Sequence, residues 1–216
     1  MALEAVPVTP ELEGYLESLL EPREPVLADL EREAEEKGVP IVGPQVGTLL
    51  CLLTALLRPR LILELGCATG YSAIWLARGS PQARVVTTEL DPRRAQRARR
   101  SFSDAGLSDR IELVEGDALD YLAGTRERFD LVFNDLLNSF PDEKTVERSF
   151  TLSLDRLQAG GLLVADNALR RGEVLEPASA GARNVARYNE LVSGEKRLRG
   201  LIVPLRDGVS LARLDA

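Results

Sequence analysis

Histidine is absent from all 216 residues. That absence rules out a Ser-His-Asp triad, a histidine-ligated zinc site and an imidazole general base together. Cysteine is scarce: Cys51 and Cys67 offer neither a metal-ligand spacing nor a disulfide framework. Cys51 lies in the apolar run "LLCLLTALL" and is expected in the core. Cys67 lies inside a glycine turn, where a small filler is the expectation and a reactive thiol the alternative. Long apolar runs are missing as well, since "TLLCLLTALL" is far short of the roughly 20 residues that span a membrane. The opening "MALEAVPVTPELE" lacks the basic-then-apolar layout of an export signal, so a cytoplasmic protein with no membrane partner is expected. There is no excess of positive charge: the formal charge of −7 argues against a general nucleic-acid binder, which needs clustered cations for phosphate contacts. Neither G-x-G-x-x-G nor G-x-x-x-x-G-K-[ST] occurs at the glycine turn described below, which disfavours a pyrophosphate cradle and an NAD-dependent dehydrogenase.

What is present suits an α/β domain. A chain of 216 residues with 44% hydrophobic and 28% charged residues fits one domain with a filled core. No repeat, low-complexity tract or linker divides it, so residues 1–216 read as a single domain, with a helical cap over 1–40 and an α/β core over 41–216. In the cap, "TPELEGYLESLL" has Thr9 as N-cap and Pro10 at the first helical position. "EPVLADLEREAEEKG" puts Leu27, Leu30 and Ala34 on one stripe and ends at Gly38. The next helix, within "VGPQVGTLLCLLTALL", is apolar nearly all round and is expected to be deeply buried.

From Arg60 onward the apolar runs "LILEL", "ARVVTTEL", "RIELVEGD", "FDLVFND" and "GGLLVADN" alternate with helical stretches. Strands buried on both faces and alternating with helices predict a parallel sheet covered on both sides. Asp91, Pro92 and Gly106 punctuate an arginine-rich helix whose alanines and Phe102 face inward. Its arginines at 93, 94, 97, 99 and 100 read as a solvated face, with an RNA contact as the alternative. The last two apolar runs are joined only by "PLRDG", too short for a crossover helix, so these strands should be antiparallel.

The stretch "LELGCATGYSAIWLA" carries the chemistry. Gly66 and Gly70 let the backbone turn tightly beyond a strand end and approach a ligand, and the helix from Tyr71 presents free N–H groups there. Glu89 ends the next strand about twenty residues on, where a carboxylate can take both ribose hydroxyls. Glu64, an acid in a buried-looking strand, needs a cationic or hydrogen-bonding partner and would repel a phosphate. Asp117 follows the third strand, where an adenine edge could lie. A ligand with an ammonium group and a ribose but no phosphates satisfies these acids; the plainer alternative for each acid alone is a solvated strand end or a helix cap.

The run "VGPQVGTLLCLL…ILELGCATGYSAIWLA…VVTTELDP…GDA…FDLVFND…GGLLVADN" resembles the S-adenosylmethionine-dependent O-methyltransferases of the catechol and caffeoyl-CoA type. The resemblance runs from about Pro40 onward. It implies a Rossmann-like mixed sheet of seven strands with the last one antiparallel, helices on both faces and a homodimer. It also implies that Glu64, Gly66, Ser72, Glu89, Asp117, Ala118 and the backbone around Val42 hold the cofactor, with Gly70, Tyr71 and Asp135 completing the set.

Asp135 after "FDLVFN", with Asp166 and Asn167 after "GGLLVA", offers three oxygen donors at adjacent strand ends, suited to Mg²⁺ before Ca²⁺. The alternative is that Asp166-Asn167 starts a turn and Asp135 caps a helix. In the resembled family Asp-x-x-Lys follows, with the Lys as base; here the position is Asn138, which cannot serve. Metal-assisted ionisation at Asp135, a swing of Lys144, or an acceptor already acidic enough remain open. The functional expectation is an O-methyltransferase, Mg²⁺-dependent, acting on a small hydroxylated aromatic or catechol-like acceptor. A tRNA hydroxyuridine acceptor and a non-catalytic cofactor-binding module are the alternatives.

Overall fold

A computed structural model describes residues 8–215. Met1–Pro7, on which part of the export reading rests, lie outside the described residues. Three helices come first: α1 (Pro10–Ser18), α2 (Pro25–Lys37) and α3 (Gly43–Leu57). Thr9 caps α1 by accepting the Leu12 N–H, and Gly38 ends α2 in a left-handed conformation at φ 66°. Leu27, Leu30 and Ala34 of α2 are buried, as their spacing predicts.

Strands and helices then alternate as β1 (Leu61–Leu65), α4 (Tyr71–Gly79), β2 (Arg84–Glu89), α5 (Pro92–Asp104), β3 (Ile111–Glu115), α6 (Ala118–Gly124), β4 (Phe129–Asn134), α7 (Glu143–Arg156) and β5 (Leu157–Ala165). After α8 (Ala180–Gly194), β6 (Leu198–Val203) and β7 (Val209–Leu214) form the antiparallel pair. The seven strands lie in the order β3-β2-β1-β4-β5-β7-β6. β1 to β5 are parallel, and β7 runs against both neighbours. Strand order reverses between β1 and β4, and a crevice at the carboxyl ends of the strands is the place such a sheet offers a ligand.

Successive strand residues face opposite layers, as the two-residue period requires. Ile62, Val85, Leu131 and Phe133 pack with Val46, Leu50, Ile74 and Phe102 of α3, α4 and α5. Leu63, Val86, Val132 and Leu163 pack with residues of α6, α7 and α8 such as Leu122, Val146 and Tyr188. Glu64 shares the parity of Ile62, so its carboxylate enters the first layer with no exposure at all.

Two expectations need correction. α3 is not buried all round: Val46 and Leu50 are fully buried, but Leu52 and Leu56 are exposed by 55% and 83%. α3 packs on α4 through one face only, and an apolar residue left on a surface carries little penalty. Cys51, on the flank between those faces, is half-buried rather than a core residue. Cys67 is buried, and burial pushes its thiol well above the ordinary range, which makes it an unreactive filler.

Candidate active site

Beyond β1 the chain turns at Gly66 (φ 93°), Ala68 (φ 45°) and Gly70 (φ 93°). A Cβ at Gly66 would stand 2.7 Å from Leu136 Cδ2, and one at Gly70 2.6 Å from Phe102 Cε1, so both positions exclude a side chain on two counts. Neighbouring β2 holds the turn in place. The Cys67 N–H donates to the Thr88 carbonyl at 2.8 Å, and the Ala68 N–H donates to Glu89 Oε2 at 2.7 Å. Glu89 Oε1 takes the Asp91 N–H at 2.9 Å. Each Glu89 oxygen is thus aimed by one backbone amide and keeps a lone pair for a further donor.

Glu64 is the group most at odds with its surroundings. Its Oε2 accepts the Thr87 hydroxyl, while Oε1, also buried, has no hydrogen-bond partner among the described residues. Burial raises its pKa to about 7; the Ser72 and Thr87 hydroxyls pull it down and the Glu89 charge pushes it up. An orphaned carboxylate oxygen beside the first turn of α4 fits a cationic group such as an ammonium. Tyr71 and Ser72 are both buried in that turn, but the Tyr71 hydroxyl donates to Glu31 of α2 at 2.7 Å. The Tyr71 side chain therefore ties the cap down, and what it offers a ligand is its backbone.

Asp117 caps α6, its Oδ1 accepting the Leu119 and Asp120 N–H groups at 2.8 and 3.0 Å. The helix-cap alternative is thus realised, without removing Asp117 from the crevice. A cleft of about 360 Å³ brings Gly66, Glu89, Asp117 and Ala118 together with Leu136 and Phe140. This is a nucleoside-sized space with carboxylates at one side and apolar walls at the other.

The second half of the site grows from β4 and β5. Asn134 and Ala165 pair in register, so Asp135 and Asp166 leave the sheet side by side. The Asp135 N–H donates to Leu65 O at 3.0 Å and the Asp166 N–H to Asn134 O at 3.2 Å. Burial first, then the charges of Asp166 and Glu64, hold the Asp135 carboxyl well above the usual range. Burial likewise raises Asp166, while the Asn167 amide and Arg206 partly offset it. The two carboxylates at adjacent strand ends, with the side-chain oxygen of the neighbouring Asn167, form a donor set suited to a hard divalent ion. Among the described residues no three Asp, Glu or Cys side chains cluster closely enough to hold a metal, so the amide is needed as the third donor. Asp135 does not cap a helix: the next helix, α7, is capped by Asp142, and the turn after β4 is closed by Asn134 Oδ1, which accepts the Leu136 N–H at 3.0 Å.

Residues 18–214 match the model of the O-methyltransferase family. The chain belongs to that family. A catechol O-methyltransferase from Mycobacterium tuberculosis is 35% identical over 201 residues, spanning 90% of this chain and 88% of that protein. Another from Niastella koreensis is 33% identical over 218 residues, spanning 93% and 95%. The crystal structure of the O-methyltransferase from Bacillus cereus in complex with SAH shares the fold at a TM-score of 0.84 and 31% identity, covering 95% of this chain and 97% of that one. The O-methyltransferase described here is thus of the S-adenosylmethionine-dependent catechol and caffeoyl-CoA type that its motifs resemble, and the non-catalytic alternative loses its ground.

Asn138 stands where the resemblance implies a lysine. That side chain is exposed, and its Oδ1 accepts a hydrogen bond from Arg170 Nη1 at 2.8 Å. Lys144 stands exposed in the first turn of α7, as a surface residue would. Several residues around the site escape sequence reasoning. Thr87, whose hydroxyl reaches Glu64, could have been flagged as a polar residue in a doubly buried strand. Arg170, Arg171 and Arg206 had no such signal. Asn167, Arg170, Arg171 and Arg206 adopt positive φ of 60°, 47°, 51° and 49°, four of the six non-glycine residues to do so among those described. Strained backbone concentrated on two facing loops marks a site held in place by its surroundings.

Proposed function

We propose that the protein transfers the methyl group of S-adenosylmethionine to one hydroxyl of a small catechol-like acceptor, assisted by a divalent cation, with Mg²⁺ the best match. The observation that carries this reading is the row of acids along the strand ends: Glu64 with an orphaned oxygen, then Asp135 and Asp166 leaving paired strands side by side, the Asp166 charge raising the Asp135 pKa. Glu64 would take the ammonium, Glu89 the ribose hydroxyls, and Asp117 and Ala118 the adenine, with Gly66, Gly70, Tyr71, Ser72 and the Val42 backbone lining the cradle. Asp135, Asp166 and Asn167 would hold the cation. Bound there, the cofactor supplies an electrophilic methyl group and the cation a Lewis acid that acidifies the acceptor hydroxyl.

The remaining work falls to the protein. The half-buried side chains of Leu136 and Phe140 would wall the reacting sulfonium off from water, which would favour the loss of its charge as the methyl group passes to the acceptor oxygen. The acceptor's proton has no side-chain base at position 138: an amide cannot take it, and the adjoining guanidinium of Arg170 is already protonated. The proton therefore leaves to solvent, and the Asn138–Arg170 pair closes the place where a lysine would stand.

The chain is read as one domain whose first helices form a cap: Glu24 pairs with Arg78 at 2.6 Å and Glu33 with Arg97 at 2.7 Å, fastening α2 to α4 and α5. A homodimer is the assembly that the family resemblance implies, and sedimentation tests it. Incubation with labelled S-adenosylmethionine and a panel of catechols, with and without chelator, tests the reaction. Label should enter a catechol and fall to background with chelator. Chelator-insensitive transfer would remove the cation from the proposal, and transfer to no catechol would remove the acceptor class.

A further inference from the structure

Resting on that reading, we infer that the acceptor carries a carboxylate in addition to its hydroxyls, and that Arg171 and Arg206 recognise it. One cavity of about 490 Å³ is lined by Asp166 and Asn167, where the hydroxyls would bind, and by Arg171 and Arg206. Ile41, Val42, Leu169 and Pro204 add apolar surface suited to a ring.

The Arg206 guanidinium is anchored, whereas Arg171 is exposed and held only through its backbone. Arg206 sits in the turn between β6 and β7 with φ 49°, and its Nη1 donates to the Val42 carbonyl. It lies so close over Gly43 that a Cβ there would stand 1.8 Å from Nη1. Arg171, at φ 51°, is fixed through its backbone N–H, which donates to Asp207 Oδ1 at 2.5 Å. Among the described residues neither arginine is in a salt bridge, and the Arg171 side chain donates no hydrogen bond. With one Arg206 donor spent on Val42, most of the ten guanidinium N–H groups of the pair stay open to a ligand. A planar carboxylate matches that fork better than any neutral substituent does.

Besides Asp166, two acids share the cavity and bear on the choice of sign. Asp207 has one oxygen committed to the Arg171 amide, and Glu13 of α1 stands half-buried at the wall. Their charges offset the guanidiniums at long range, so recognition works by direct contact and not by the net field. A cationic acceptor would have to turn to Glu13 and Asp207 instead.

Steady-state kinetics with protocatechuate, catechol and dopamine test the assignment, alongside calorimetric binding of protocatechuate to protein saturated with S-adenosylhomocysteine. Protocatechuate should exceed catechol in kcat/KM by about tenfold or more, through KM, with dopamine lowest. Arg171→Gln should cut the protocatechuate-over-catechol ratio about tenfold, and Arg171→Lys and Arg206→Lys should cut it less. Equal kcat/KM for protocatechuate and catechol overturns the inference, as does an Arg171→Gln variant that lowers both alike. A preference for dopamine transfers recognition to Glu13 and Asp207. Calorimetry separates the two levels of failure. Protocatechuate that binds through Arg171 without being methylated upholds the arginines while sinking the catechol reading, and protocatechuate that does not bind sinks the arginines.

Discussion

Glu64 has no exposure, and its pKa is raised to about 7 from an ordinary 4.5. Below about pH 4.5 the carboxyl is protonated in folded and unfolded chains alike, and folding feels nothing. Between pH 4.5 and 7 the unfolded chain releases the proton while the folded one keeps it, so stability falls as pH rises. By pH 8 the cost is roughly 3 kcal/mol. Glu64→Gln removes it. In the ligand-free protein the variant and wild type should melt together near pH 4.5 and separate by roughly 5–10 °C at pH 8, the variant being the more stable. The same variant should bind S-adenosylhomocysteine about tenfold or more weakly. A melting difference independent of pH would mean that Glu64 is ionised in the fold. Gly70→Ala tests the turn: with φ 93° and Phe102 Cε1 in the way, it should cost about 2 kcal/mol in urea denaturation and weaken cofactor binding. Glu64, Gly66, Gly70 and Glu89 were legible because acids and glycines at strand ends are local signals. Arg171 and Arg206 were not, since their meeting depends on contacts such as the one from Arg206 to Val42, 164 residues apart in sequence.

At the level of elements, helix caps and strand runs were read from neighbours in sequence, and Thr9, Gly38 and Asp91 act as their residue types predict. α3 was misjudged because composition alone does not tell an all-apolar helix inside a protein from one lying against a single partner. The two faces should therefore respond differently. Leu50→Ala, at a fully buried position, should cost about 2–5 kcal/mol, whereas Leu56→Ala should stay within about 0.5 kcal/mol. Chemical denaturation of the two variants settles the matter, and equal losses would show that Leu56 is covered in solution.

For the molecule as a whole, ligand binding should appear as added stability. S-adenosylhomocysteine at about 100 times its Kd should raise the melting temperature by roughly 5–10 °C, while NADH should leave it unchanged. No helix among the described residues is long and apolar enough to cross a membrane. The RNA alternative weakens at this scale, because Arg97 pairs with Glu33 and Arg99 with Glu115, leaving Arg93, Arg94 and Arg100 on a molecule of net charge −7. Binding to bulk tRNA in moderate salt should accordingly be undetectable by filter retention.

The strand order carries one more consequence. β7 lies between β5 and β6, so β6, although made earlier, has nothing to pair with until β7 emerges from the ribosome. The turn joining them bears Arg206 and Asp207. On the proposed reading, a nascent chain holds its nucleoside cradle before its acceptor pocket is finished, and methyl transfer waits until the hairpin has been synthesised and slotted home.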